Sequence, residues 1–190
     1  MRAAWSIGAV ILLSGCGGAN AGQSDPQACA PVAASDSTID VSGLQGEFVT
    51  RLIADTGSRR GESTEGRLQL VPQDSAYRSL ELPDGSSRSG VSLPLYGTAD
   101  IDFEAVGAVI PGDARSEDPA SPGVLVIESP DRVLLRVGSE ANRRGMRRFD
   151  GAYTVLQVQQ VTAGGFAGTW RSGVHLEQSG GHFCAKRSTG

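Results

Sequence analysis

The chain has 190 residues, a formal net charge of −4, 26 glycines and few aromatic residues. An acidic chain lacks the basic footprint of a nucleic-acid partner, and beyond the first twenty residues no apolar run approaches the ~20 residues of a membrane-spanning helix. The length suits one domain with a substantial core, and with Lys186 the only lysine, arginine carries nearly all the positive charge.

The chain opens Met1-Arg2 and continues as an apolar and small-residue run over residues 3–13. Such a run is too short to cross a bilayer but matches the apolar region of a secretory signal behind its basic start. It ends in Leu13-Ser14-Gly15-Cys16, an apolar residue and two small ones before a cysteine. This resembles the lipobox of bacterial lipoproteins. The resemblance implies removal of residues 1–15, diacylglycerol on the Cys16 thiol and usually an acyl chain on its new amine. Two or more chains give stable anchoring where one does not, so the membrane is an expected partner. The next residue is Gly17; in that family an aspartate there favours the inner membrane, so glycine implies the outer membrane, on its periplasmic face or at the surface.

Residues 16–43 are small, polar and proline-containing, the composition of a flexible tether. Cys29 lies within it, and Cys184 near the other end of the chain. With Cys16 lipidated, these two form an even pair in an oxidising compartment and are expected to bond to each other. A free reactive thiol and an intermolecular bridge are the alternatives. Loop entropy sets an upper bound of roughly 5 kcal/mol on such a bond.

From Leu44 the dominant period is two. Phe48, Thr50 and Leu52 share one face of the stretch 44–54, and Leu68 and Leu70 one face of 65–71. Residues 96–106 alternate Ala99, Ile101, Phe103 and Ala105 with Thr98, Asp100, Asp102 and Glu104. Strands follow at 123–127, 132–137, 153–161 and 166–171, with short segments near 175–177 and 182–185, while 55–63, 73–92 and 108–122 read as loops. No stretch carries a helical apolar period. About seven to eight strands with glycine-rich turns predict an all-β domain over residues 44–190, a small antiparallel β-barrel, with a β-sandwich as the alternative. Gly46, Gly66, Gly97 and Gly168 at inward positions suit the curvature of a closing sheet and favour the barrel. Such an architecture is similar to lipocalin and avidin-like barrels, which implies a cavity for a small hydrophobic ligand. Gly46-Glu47-Phe48 stands on the first strand and Gly168-Thr169-Trp170 near the end, so the lipocalin Gly-x-Trp signature is displaced and no site residue carries over.

Four constellations could bear chemistry. Asp55-Thr56-Gly57-Ser58 resembles the active-site loop of aspartic proteases, but those enzymes need two carboxylates sharing a proton, and all four residues are ordinary turn formers. Asp100, Asp102 and Glu104 line one strand face, whereas calcium ligands converge from a loop. His175, Glu177, His182 and Cys184 could be combined into a zinc set or supply a catalytic histidine, yet structural or surface roles fit them better. Arg143, Arg144, Arg147 and Arg148 form a basic loop that could touch anionic headgroups or an acidic ligand, or pair with the acidic stretch 113–118. No cofactor or metal is expected. The reading is a non-enzymatic binding or structural lipoprotein of the cell envelope, with a protein partner or a small ligand. A lipocalin-like carrier is the alternative, and a hydrolase using Asp55 a distant one. Whether Phe48, Phe103, Phe166 and Trp170 fill the interior separates the first two.

Overall fold

The two-residue alternation becomes ten strands in a computed structural model, which describes residues 29–33, 38–74, 79–81, 87–110, 122–138, 152–174 and 177–188. They are β1 (Gly46–Thr56), β2 (Ser63–Pro72), β3 (Ser79–Glu81), β4 (Ser87–Ser92), β5 (Leu95–Asp100), β6 (Gly123–Ser129), β7 (Arg132–Val137), β8 (Tyr153–Thr162), β9 (Gly165–Val174) and β10 (Glu177–Arg187). Eight of them form a ring in which each pairs antiparallel with its neighbour, in the order β1, β2, β5, β6, β7, β8, β9, β10. Pairing of β10 back to β1, from Phe48↔Arg187 to Thr56↔Gly180, closes it. This is an up-and-down barrel, and closure leaves the ring without a free edge along its length. The short β3–β4 hairpin hangs from β6 through the single pair Ser92↔Glu128.

Every second side chain points inward. Phe48, Leu52, Leu68, Leu70, Val126, Leu135, Val158, Trp170 and Phe183 are almost wholly buried in one continuous core. Phe166 meets Phe48 and Phe183 edge to face, with ring centroids 4.9 and 5.9 Å apart. These large side chains occupy the middle of the ring and fill it as a packed core.

Close backbone approach explains the inward glycines. A Cβ added at Gly66, Gly97 or Gly168 would lie 2.0, 1.7 or 1.9 Å from a carbonyl oxygen of a neighbouring strand. A methyl group there requires the ladder itself to move. Gly97→Ala is therefore expected to lower stability by ~1–3 kcal/mol, read as a lower urea midpoint with the barrel's circular dichroism retained. Gly46 differs in cause, since its backbone φ is +131°.

Three expectations need correction. The strand predicted over 96–106 stops at Asp100, and Phe103–Val106 is a 3₁₀ turn. Residues three apart eclipse in that turn, which buries Phe103 and Val106 together. Asp102 caps it by accepting the Ala105 N–H at 3.3 Å, and Gly107 ends it in the left-handed region. The stretch 73–92, read as a loop, carries β3 and β4. Glu177 and the short segment 182–185 belong to one long strand, β10. Its Gly180-Gly181 pair hides the alternation: an added Cβ at Gly181 would lie 1.9 Å from the Ile53 carbonyl oxygen. Trp170 faces Gly181 from β9, and its indole N–H donates to that same Ile53 carbonyl at 3.0 Å.

Both barrel ends are tied. Where β1 begins, the 3₁₀ turn Val41–Leu44 seats Leu44 in the core, with Ile39 and Val41 packed beside it. Arg187 donates to the carbonyls of Gln45 and Gly43 and lies over the Phe48 ring. Asp40 caps the turn; the hydroxyl and N–H of Ser42 hold its carboxyl below the usual range. That contribution is present at neutral pH and is lost as pH falls through the lowered value. At the other end, Ser172 accepts the Val109 N–H at 2.8 Å and Thr154 donates to the Val109 carbonyl, which latches residues 108–110 onto β8 and β9.

Candidate functional site

The wall formed by β1 and β10 carries the densest set of chemically distinctive side chains among the described residues. Alternation puts His182, Cys184 and Lys186 on its outer face, with Ile53, Arg51 and Val49 opposite them on β1. Cys29 lies against this wall, its sulfur 2.15 Å from that of Cys184 and the two Cα atoms 5.5 Å apart. The pair expected from cysteine arithmetic thus lies at bonding distance within one chain. It fastens the first described residues to the middle of β10.

A second contact joins the same elements. The register of β1 against β10 shifts between Ala54 and Thr56, and such a bulge re-aims side chains locally. Asp55 Oδ2 stands 2.8 Å from His182 Nδ1, and His182 Nε2 is 3.2 Å from the Cys29 carbonyl oxygen. His182 is 7% exposed, whereas Asp55 remains open to solvent. An aspartate that orients a histidine supplies two of the three members of a hydrolytic triad, but here the outer nitrogen faces a backbone carbonyl. The geometry is that of a clamp on the incoming chain. Sequence reasoning set Asp55 and His182 in separate constellations, because only the strand register brings positions 127 residues apart into contact.

The other sequence candidates do not converge. Asp55 and Thr56 end β1, and Gly57–Gly61 turns the chain toward β2, with the Gly61 N–H donating to the Ala54 carbonyl at 2.8 Å. Asp100, Asp102 and Glu104 are all exposed on different local structures, and no group of three or more metal-ligating side chains forms among the described residues. Cys16, Arg143, Arg144, Arg147, Arg148 and His175 lie outside the described residues.

A cleft of ≈ 630 Å³ opens at the barrel end where β1 begins, bordered by Ile39, Ser92, the turn 129–132 and Gln159. Its walls mix amide, hydroxyl and charged groups with valine and isoleucine side chains. Ser92 donates to Glu128 at 2.6 Å across it. The cleft is thus at the rim, where it reaches the core side chains Val133 and Val158, a position no periodicity in the sequence reveals.

No protein-family model and no curated protein matches the chain. A search of solved structures finds a chain described as EF1p2_mFAP2b bound to DFHBI, 8% identical, with a TM-score of 0.38 over 78% of this chain and 96% of that one. A likeness at that level carries no argument about role, and the barrel stands on its own strand pairing.

Proposed function

We propose that this chain is an exported lipoprotein, held to the envelope membrane by lipid on Cys16, whose barrel serves as a non-enzymatic binding or structural module. The sequence Leu13-Ser14-Gly15-Cys16 behind an apolar signal-like run carries the reading. Two or three acyl chains on one residue give a stable anchor at ~0.8 kcal/mol per buried CH₂. Gly17 supports an outer-membrane address. The non-enzymatic reading is supported by the clamp geometry of His182, whose outer nitrogen meets the Cys29 carbonyl.

The filled interior favours action through the barrel's surface or rim. A second reading, carriage of a small ligand, draws its support from the rim cleft; the ligand would then be partly exposed and partly polar, in place of a lipocalin's enclosed apolar cargo. Cys16→Ser should abolish acyl-lipid labelling and move the chain from the membrane to the soluble fraction. Unchanged labelling would overturn the proposal.

A further inference from the structure

We propose that the Cys29–Cys184 bond sets the length and point of attachment of the membrane leash, so that its reduction lets out more chain and turns the barrel; this rests on the lipid anchor at Cys16. Two fixed points lie on the incoming chain. One is Cys29, bonded to the middle of β10. The other is Ile39, packed against the core at the barrel end where β1 begins. With the bond intact, the first fixed point lies 13 positions after Cys16; with it open, the next, Ile39, lies 23 positions after it. At the limiting extension of a chain, the reach grows from about 45 Å to about 80 Å. The point of pull also moves, from the β1–β10 wall to the end that carries the rim cleft.

The bond is chemically placed for exchange. Cys29 is 4% exposed, while Cys184 is partly exposed. Arg51 faces Cys184 across the ladder, and Lys186 follows two residues along the same outer face. Positive charge there favours the approach of a thiolate. A thiolate of an external dithiol attacks the Cys184 sulfur, the S–S bond breaks, and Cys29 leaves as a thiolate that takes a proton. The reductant's second thiol then attacks the mixed disulfide, which frees Cys184 and closes the reductant's own disulfide. Two electrons pass from the dithiol to the protein. What remains on Cys29 is its carbonyl's contact with His182 and its sulfur's long contact, 3.9 Å, with the Arg51 carbonyl, and single hydrogen bonds in competition with water are a weak hold on a segment.

The test uses the acylated chain on a supported bilayer, and the same chain without lipid coupled through residue 17 to a planar surface. Neutron reflectometry reads the height of the protein layer before and after a dithiol is added. The expected result is an outward displacement on the order of 10 Å in both settings. Ten Gly/Ser residues inserted after Gly22 should reproduce it in the oxidised chain. Displacement on the planar surface without bilayer association would refute the lipid reading and leave the leash standing. No displacement on reduction, with the insertion displaced, overturns the leash. Loss of the Trp170 near-ultraviolet signal on reduction also overturns it, since the bond would then be holding the barrel itself together.

Discussion

Replacing Cys29 and Cys184 together by serine is expected to lower the free energy of unfolding by ~2–5 kcal/mol while the barrel stays folded. The bond joins residues 155 positions apart and so closes a loop that takes in nearly every strand. Without it the unfolded ensemble regains the freedom of that loop, for which chain statistics give roughly 5 kcal/mol as an upper value. The native state loses much less. Every strand pair of the ring is formed by backbone hydrogen bonds that do not involve the bond, and Leu44, Ile39 and Arg187 still fix the chain at the start of β1. Urea titration of the wild type with and without reductant, beside the double variant, checks this. The reduced wild type and the variant should share one midpoint, below that of the oxidised protein, with the same native spectrum.

Trp170→Ala should cost about as much, ~3–5 kcal/mol, for a different reason. The indole is 1% exposed and sits in the middle of the core, so truncation opens a cavity that the surrounding strands cannot close without bending the ring. It also removes the donor to the Ile53 carbonyl, a contact that spans β10 where Gly181 leaves room. Trp170→Phe separates the two effects, since the ring volume is largely kept and the donor is lost. That variant should cost ~1–2 kcal/mol, most of it the lost indole hydrogen bond. Trp5 lies in the expected signal segment, so the mature wild type reports through Trp170 alone. The variants are followed by far-ultraviolet circular dichroism.

The barrel was legible because closure leaves its mark on the sequence. Phe48, Thr50 and Leu52 alternate with exposed neighbours as a half-buried strand requires, and all three are fully buried. Gly66, Gly97 and Gly168 were readable as tight positions because a β-strand rarely keeps glycine on its dry face without a reason. Phe103 misled, because a side chain two positions after Ile101 fits a strand as well as the first residue of a 3₁₀ turn. β10 was hidden in part by its own glycines, which carry no side chain to show the period.

The site was legible in its sulfur and obscure in its register. With Cys16 set aside for lipid, as its resemblance to a lipobox implies, Cys29 and Cys184 were the expected pair, a free thiol or an intermolecular bridge being the alternatives. That His182 would be held between Asp55 and the Cys29 carbonyl depends on how β1 lies against β10, including the register shift after Ala54. The rim cleft was obscure for the same reason. Its walls come from four separate stretches of chain, and none of them is distinctive on its own.

The central claim is a filled barrel carried on lipid at Cys16 and clipped at Cys29. Mass spectrometry of the chain extracted from membranes, digested without reduction, tests it most directly. The account predicts an N-terminal peptide that begins at Cys16 and bears diacylglycerol, together with a peptide pair joined through Cys29 and Cys184. An unmodified Cys16, or a chain that retains residues 1–15, would contradict it.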